Sequence, residues 1–176
     1  MNSLYFIAIE PHPDLSREIR NIQLDFKNRF NSRKAYDSFP HITLIPPFHR
    51  AVGSEPELIK KFMMTELPAG HFRISLNGFG SFSNRKNPVI YIKPEYSENL
   101  VQLQRALAAA FGNIQQPFHP HVTVAYKDLN ANNFESAWKE YGQMSFNSSF
   151  SAEAVGLYKH FDRKWNLIAK KESKKP

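Results

Sequence analysis

The sequence predicts an α+β fold: a duplicated, bilobal arrangement in which two antiparallel-rich sheets flank a central cleft and helices lie outside. Two observations support this. Short apolar or alternating runs, typical of strands, are interleaved with longer segments that carry apolar residues at helical spacing. The order strand, helix, strand, helix, strand, strand then nearly recurs from residue 89. We therefore expect one domain, residues 1–176, made of two pseudo-symmetric lobes, with terminal strands that can swap between them.

Composition indicates an ordinary globular protein. The 176 residues are 41% hydrophobic and 14% aromatic, enough for one sizeable core. Cysteine is absent, which excludes disulfides, thiolate metal sites and a cysteine nucleophile. The net charge of +7 favours anionic partners such as nucleotides and RNA. No secretory leader or membrane-spanning run is visible, so we expect a cytoplasmic protein without a membrane partner. We also expect a monomer.

The first helix and its flanking strands follow from apolar spacing. Residues 4–9 are a short aromatic-rich run that predicts a buried strand. Asp14 is the candidate N-cap of the helix that follows. Its apolar face comprises Leu15, Ile19, Ile22, Phe26 and Phe30. A second strand is predicted at residues 41–45 and is expected to stop at Pro46 and Pro47.

A second helix and a hairpin complete the first half. Ser54, followed by Glu-Pro-Glu, has the form of a capping box, so a helix is predicted from there to about Leu67. Residues 72–76 alternate as a strand. Residues 89–92 form the strand that returns after a turn at 84–88.

The second half repeats this order. Ser97 is the predicted N-cap of a helix that Gly112 ends. Its apolar face comprises Leu100, Leu103, Leu107 and Phe111. A strand at 121–125 and a short helix at 134–141 follow, and the chain closes with a hairpin around a turn at 161–164.

Local similarities between the halves support an internal duplication. Residues 39–44 (FPHITL) and 119–124 (HPHVTV) align without a gap. The hairpin at 80–92 resembles the hairpin at 156–168, and each carries an Arg-Lys pair in its turn. These basic turns can guide a polyanion, although turn charges are more often simply solvated. Duplication is the economical explanation.

A His-x-Thr motif occupies matched places in the two halves, as His41-Ile-Thr43 and His121-Val-Thr123. It accounts for two of the chain's three threonines. Residues i and i+2 of a strand face the same way, so each histidine projects together with its threonine. A single motif would fit a semi-buried histidine beside a strand-forming threonine. The matched pair instead favours a shared functional cleft.

Two such pairs suit metal-free attack on a phosphodiester. One neutral imidazole can act as general base and one protonated imidazole as general acid, on opposite sides of an in-line displacement. Their ordinary pKa near 6.5 keeps both forms available. The threonine hydroxyls can donate hydrogen bonds to the non-bridging oxygens. Which histidine is the base stays open.

On these motifs the chain resembles the 2H phosphoesterase superfamily, most closely its bacterial 2′-5′ RNA ligase / RNA 2′,3′-cyclic phosphodiesterase group. The most specific segment is residues 118–124. The resemblance implies a bilobal fold with an open cleft, hydrolysis of 2′,3′-cyclic phosphates, 2′,5′ ligation in some members and no metal or cofactor. It assigns His41 and His121 as the acid–base pair and Thr43 and Thr123 as phosphate donors.

One position departs from the family pattern, and five residues are candidate substrate contacts. Many RNA-ligase-type members carry an arginine five residues after the second motif's histidine, where this chain has Tyr126 followed by Lys127. Lys127 can replace that charge only if the strand twists or ends there.

The candidate substrate-binding residues are Phe48, Tyr126, Lys127, Phe82 and Tyr158. Core packing is the alternative for the aromatic ones.

The predicted function is hydrolysis of 2′,3′-cyclic or 2′,5′-linked ribonucleotide phosphates, with RNA ends or small nucleotide cyclic phosphates as partners. The first alternative is a non-catalytic nucleotide- or RNA-binding module of the same fold. The second is a metal hydrolase, because His119 and His121 have a spacing found in metal sites. Phe39 matches His119 in the first half, and no carboxylate cluster lies nearby in sequence.

Overall fold

The computed structural model describes residues 2–68, 70–84, 86–112 and 117–173. In chain order the described elements are β1 (Asn2–Ile9), α1 (Pro13–Phe30), β2 (Ile42–Ala51), a 3-10 turn (Val52–Ser54), α2 (Glu55–Met64), β3 (Phe72–Phe82), β4 (Val89–Pro94), α3 (Glu98–Phe111), β5 (Val122–Ala125), α4 (Ala131–Tyr141), β6 (Asn147–Ala152), β7 (Ala154–Phe161) and β8 (Lys164–Glu172). None of these helices is long and apolar enough to cross a membrane.

The strands form one antiparallel sheet in the order β6-β3-β4-β5-β2-β1-β7-β8. The predicted α+β class is therefore confirmed. The two expected sheets are continuous, because Ile42 of β2 pairs with Val122 of β5 at the centre. This is the one residue pair recorded between these strands in the described part of the chain.

The strand order has the same pattern on both sides of that centre. Outward from β2 come β1, β7 and β8, and outward from β5 come β4, β3 and β6. The C-terminal hairpin thus completes the half that contains the N-terminal strand, whereas β3 lies with the strands that follow it. In addition, α1 packs against β5 and α3 packs against β2, so each helix supports a central strand. We infer from this order an internal duplication with interwoven halves.

The core lies on one face of the central strands. In each motif strand, the aliphatic residues that alternate with the histidine and the threonine are at most 1% exposed. They are Ile42, Leu44, Val122 and Val124. A smaller cluster of Phe6, Ala8 and Tyr158, with Phe39 and Trp165 packed against it, is separate from this main core. The alternation predicted for the two motifs is confirmed by the burial of these residues.

One predicted helix cap is wrong, and another is at the predicted position but makes no capping hydrogen bond. His12, not Asp14, caps α1, because its Nδ1 accepts a hydrogen bond from the backbone N–H of Leu15 at 3.3 Å. The helix begins at Pro13, which has a fixed φ and no N–H and so suits the first helical position. Ser54 makes no side-chain cap, and its hydroxyl donates to the carbonyl of Ala51 instead. That helix begins at Glu55 and ends at Met64, before the expected Leu67.

Strand β2 does not stop at its prolines. It continues to Ala51, and Pro46 and Pro47 together lie opposite Phe6, because Tyr5 pairs with Phe48 and Ile7 with Ile45. Two residues opposite one is a β-bulge, a place where a strand tolerates proline. The prediction failed because a proline, which has no backbone N–H, ends a strand only where the sheet needs that donor.

Strand β6 was missed, and the two hairpins are less alike than their sequences. Strand β6 (NSSFSA) buries only Phe150 and Ala152 and pairs on one side with β3, so it lacks an apolar pattern.

In the hairpin of β3 and β4, the second strand lies toward the sheet centre. In the hairpin of β7 and β8, the second strand is the sheet edge.

The contrast between the two serine positions gives a stability test. Ser97 accepts a hydrogen bond from Leu100 N–H at 3.2 Å and begins α3 as predicted. We expect Ser97→Ala to lower the free energy of unfolding by about 1 kcal/mol, because it removes a cap. Ser54→Ala, at a half-buried serine that caps nothing, should change it by less than about 0.5 kcal/mol. Urea unfolding of both variants measures this, and equal losses would contradict the assignment of the caps.

Candidate active site

The pairing of β2 with β5 brings the two His-x-Thr motifs together. The antiparallel register around the Ile42–Val122 pair places His41 beside Thr123 and Thr43 beside His121. All four side chains face away from the buried aliphatic residues. Diagonal neighbours on one face of an antiparallel pair lie about 7–8 Å apart, which is a suitable separation for two groups that flank one phosphate.

These four side chains line a single cleft with a volume of about 280 Å³. Aromatic and small side chains form the walls beside them. The remaining lining residues are Phe6, Gln23, Ala35, Ser38, Phe39, Pro47, Phe82, Val89, Tyr126, Lys127 and Trp165. The cleft is therefore mostly apolar, with a few polar groups concentrated around the two motifs.

Each motif histidine makes an equivalent hydrogen bond to a backbone carbonyl two residues before it. The Nδ1 of His41 lies 2.7 Å from the carbonyl oxygen of Phe39, and the Nδ1 of His121 lies 2.7 Å from that of His119. A carbonyl oxygen can only accept, so each Nδ1 carries the proton and each Nε2 is left to exchange one. Pro40 and Pro120, which lie between donor and acceptor residues, restrict the backbone of this short loop.

Burial makes both imidazoles less basic. Desolvation lowers the pKa of His41 from 6.5 to about 4, against the opposing hydrogen bond to Phe39, and the neighbouring His121 lowers it further. Desolvation also lowers the pKa of His121, and the hydrogen bond to His119 opposes it. Both rings are therefore neutral near pH 7. A bound anion would raise both values by favouring the protonated form.

Each imidazole is supported by two aromatic rings. The ring of His41 lies 5.0 Å from that of Phe6 and 4.8 Å from that of Phe39. The ring of His121 lies 5.3 Å from that of Phe82, edge to face at 90°, and 5.5 Å from that of Tyr91. These contacts explain the desolvation and restrict ring rotation.

Three of the five predicted substrate contacts lie in the cleft, namely Phe82, Tyr126 and Lys127. Strand β5 ends at Ala125, and Lys127 has a left-handed backbone with φ of 63°. The condition for Lys127 to bring its charge to the site is thus met. Among the described residues it is the lysine or arginine that lines the cleft.

The structure does not bring Phe48 and Tyr158 to the cleft. Phe48 packs on Tyr5 and Phe111, at 6.1 and 6.0 Å between ring centres, on the core face. Tyr158 is 3% exposed, stacks on Phe6 at 4.9 Å and donates a hydrogen bond to Glu10.

Gln23 is a cleft residue that the sequence interpretation missed. It lies on the buried face of α1, four residues after Ile19 and three before Phe26, and is 1% exposed. Its Nε2 donates to the carbonyl of Thr123 at 3.0 Å, while its Oε1 is buried with no partner among the described residues. A glutamine within an apolar helical stripe was the available signal.

The described residues offer no cluster of metal ligands that would support the metal-hydrolase alternative. His119 is exposed and is absent from the residues that line the cleft. Among the described residues, no group of three or more histidine, cysteine, aspartate or glutamate side chains is placed to hold a metal ion. Of the basic turns, Arg85 lies outside the described residues and Lys86 is exposed, whereas Arg163 and Lys164 line a groove beside the cleft.

Comparison with known proteins identifies similar sequences and folds. The family model of the 2′-5′ RNA ligase superfamily matches residues 11–163. E. coli LigT in apo form is 18% identical, with a TM-score of 0.69 and 99% of both chains covered. A crystal structure described as a phosphoesterase is also 18% identical, with a TM-score of 0.70 over 99% of this chain and 100% of that one. The protein TT0787 of Thermus thermophilus is 17% identical, with a TM-score of 0.69 and 98% of both chains covered.

E. coli LigT also matches in its complexes with 3′-AMP, NADP+ and ATP, at TM-scores of 0.68, 0.68 and 0.67. At these identities the structural likeness concerns the fold. Among curated proteins, no sequence matches the chain significantly.

The lowered pKa of His41 predicts loss of stability in acid. The unfolded chain binds a proton at this residue near its ordinary pKa of 6.5, whereas the folded protein binds it only near 4. Stability from the neutral ring is therefore complete above pH 6.5 and is lost as the pH falls toward 4. We expect this loss to be on the order of 3 kcal/mol, measured by urea unfolding at about pH 7 and about pH 4.

The matched control is His41→Gln, which cannot titrate. Its loss of stability between the same two pH values should be smaller than that of the unsubstituted protein by the same amount. Equal losses in the two proteins, or an imidazole NMR titration of His41 with its midpoint at or above the ordinary value of 6.5, would contradict the assignment.

Proposed function

Since the chain belongs to the 2′-5′ RNA ligase superfamily, we propose that it is a metal-independent phosphodiesterase acting on 2′,3′-cyclic or 2′,5′-linked ribonucleotide phosphates. One observation carries this proposal: two imidazoles, each with Nδ1 bound to a backbone carbonyl and a threonine beside it, line one cleft. The reaction class that uses two such groups on one phosphorus is acid–base phosphoryl transfer.

In the hydrolysis of a 2′,3′-cyclic phosphate, water attacks phosphorus and one P–O bond to the ribose breaks. The neutral imidazole accepts a proton from the attacking water at its Nε2. The protonated imidazole donates a proton from its Nε2 to the departing ribose oxygen, which leaves a phosphomonoester and a free hydroxyl. In-line geometry requires the two groups on opposite sides of phosphorus, as expected for His41 and His121 on adjacent strands.

Three further groups stabilise the charge that develops on the non-bridging oxygens. Thr43 and Thr123 donate hydrogen bonds from the floor of the cleft, each beside the histidine of the other strand. Lys127 supplies a positive charge at the rim. These donors act in a mostly apolar cleft, where hydrogen bonds to charge are stronger than in bulk water.

The apolar walls suit a nucleoside. Phe82, Tyr126 and Trp165 expose ring faces or edges to the cleft, and a base can stack on an aromatic side chain for about 1–3 kcal/mol. E. coli LigT, whose fold this chain shares, has been crystallised with 3′-AMP, ATP and NADP+. Adenine nucleotides are therefore sensible first ligands, and RNA ends are the larger alternative.

Substitution of either histidine tests the proposal. We expect His41→Ala and His121→Ala each to lower kcat on a 2′,3′-cyclic nucleotide by at least about 100-fold, because each removes one proton-transfer group. Melting temperatures should stay close to that of the unsubstituted protein, because both rings are partly exposed and neutral. His49→Ala, at an exposed histidine outside the cleft, is the matched control and should retain full activity.

Assays in the presence and absence of EDTA separate the three candidate functions. Activity that EDTA removes would favour the metal hydrolase. Micromolar nucleotide binding without turnover would favour the binding module. Full activity of either alanine variant would exclude that histidine from the reaction.

The pH dependence of kcat/KM gives an independent test. A reaction that needs one neutral and one protonated imidazole is fastest between their two pKa values in the free enzyme. Because burial lowers both from 6.5, and that of His41 to about 4, we expect a bell-shaped profile with its maximum below pH 6.5. A flat profile from about pH 4 to about pH 8, or a maximum above about pH 7, would contradict it. Samples returned to neutral pH and assayed again control for acid unfolding.

A further inference from the structure

Gln23 is a polar side chain at a position that its helix otherwise uses for packing. It lies on the face of α1 that also carries Leu15, Ile19, Phe26 and Phe30, all of which are buried. The residue is 1% exposed and yet lines the cleft. Glutamine is seldom buried to this extent, because removing an amide from water is costly unless hydrogen bonds replace the lost ones. Packing alone therefore does not explain a glutamine at this position.

The side-chain amide of Gln23 makes one hydrogen bond and leaves one buried acceptor unpaired. Its Nε2 donates to the carbonyl oxygen of Thr123 at 3.0 Å. A carbonyl oxygen can only accept, so this bond determines which end of the amide faces Thr123. The Oε1 atom is buried and has no partner among the described residues. An unpaired buried acceptor destabilises a fold, whereas an apolar side chain of the same length would carry no such penalty.

The carbonyl that Gln23 binds belongs to a short strand. Strand β5 has four residues, and on one side Thr123 pairs with Tyr91 of β4. On the other side, Ile42–Val122 is the one residue pair recorded between β2 and β5 in the described part of the chain. Gln23 adds a contact from α1, 100 residues earlier in the sequence. This hydrogen bond thus holds β5 at a residue whose side chain lines the cleft.

The other motif strand also accepts a hydrogen bond from a helix glutamine, but at a different place. Gln104 of α3 donates from Nε2 to the carbonyl oxygen of Leu44 in β2 at 3.5 Å. Gln104 is half-buried and is absent from the residues that line the cleft, and the side chain of Leu44 lies in the core. Of these two glutamines, Gln23 is therefore the one bound to a motif residue.

We propose that Gln23 is a positioning residue for Thr123. Its amide holds the Thr123 backbone, and the backbone sets the direction of the Thr123 hydroxyl in the cleft. A hydroxyl that stabilises charge on a non-bridging oxygen must be placed to within about 0.5 Å. Because Gln23 is almost fully buried, it acts through Thr123 and not by contact with the substrate. This inference rests on the proposed function and adds a residue to that reaction.

The first test measures kcat and KM of Gln23→Met on a 2′,3′-cyclic nucleotide. Methionine keeps the length of the side chain, removes the unpaired acceptor and cannot donate to Thr123, so the melting temperature should stay close to that of the unsubstituted protein. We expect kcat to fall about tenfold and KM to stay within about twofold, because the Thr123 hydroxyl acts on charge that develops in the transition state. The matched control Gln104→Met should change neither value. An unchanged kcat, or equal losses in the two variants, would overturn the proposal.

Two double-mutant cycles test whether Gln23 acts through Thr123. In Thr123→Val the hydroxyl is already absent, so adding Gln23→Met should lower kcat by less than about twofold further. In Thr43→Val, which lacks the hydroxyl of the other motif, the same substitution should still cost about tenfold. The same loss in both backgrounds would mean that Gln23 acts on the whole cleft or on the fold, and it would overturn the proposal.

Methyl NMR tests the positioning without turnover. The chain has three threonines, Thr43, Thr65 and Thr123, so threonine-methyl labelling gives one signal at each motif and one internal control. In Gln23→Met we expect the order parameter of the Thr123 methyl axis to fall, whereas those of Thr43 and Thr65 stay the same. An unchanged order parameter at Thr123 would overturn the proposal.

The NMR and kinetic results also separate this proposal from the proposed function. Loss of order at Thr123 without hydrolysis by the unsubstituted protein would count against the proposed function and support the contact from Gln23. Hydrolysis by the unsubstituted protein with unchanged order at Thr123 in Gln23→Met would count against the role of Gln23 alone.

Discussion

The contact between β2 and β5 is the constraint on which the site depends. Through the pair Ile42–Val122, each motif's histidine comes to lie beside the threonine of the other motif. The sheet needs only this short ladder at its centre, because apolar side chains on one face anchor both strands in the core. On the opposite face the same two strands carry the two histidines and two threonines that line the cleft. One arrangement thus provides both packing and an opening.

The same surroundings set the character of the two imidazoles. Aromatic rings shield them and lower their pKa, while hydrogen bonds from Nδ1 to backbone carbonyls fix their orientation. A neutral, oriented pair in an apolar cleft becomes more basic when an anion enters. Binding of a phosphate would therefore raise the pKa of the imidazoles, so that one of them takes up from solvent the proton it needs as general acid. The apolar walls and the catalytic chemistry are connected in this way, since the walls cause the sensitivity to ligand charge.

Much of the fold and of the candidate site could be predicted from the sequence, wherever apolar residues recur at the spacing of a strand or a helix. Alternation placed His41 with Thr43 and buried Ile42, and helical spacing together with Ser97 and Gly112 defined α3. Features that depend on contacts between residues distant in the chain could not be predicted in this way. Pro46 and Pro47 read as a strand end until the bulge opposite Phe6 was seen. Tyr158 matched Phe82 by sequence, yet it is buried, because the two hairpins attach to the sheet on different sides.

The interweaving of the halves also affects the order of events during synthesis. Strand β1 is made well before β7, with which it pairs. Helix α1 packs against β5, which lies about a hundred residues later, with Gln23 of the helix bound to Thr123 of the strand. Contacts this distant form slowly, because long loops must close before they bring any gain. The face of α1 that packs against β5 therefore stays uncovered until β5 has been made. The cleft is complete only after Trp165, which lines it, has also emerged.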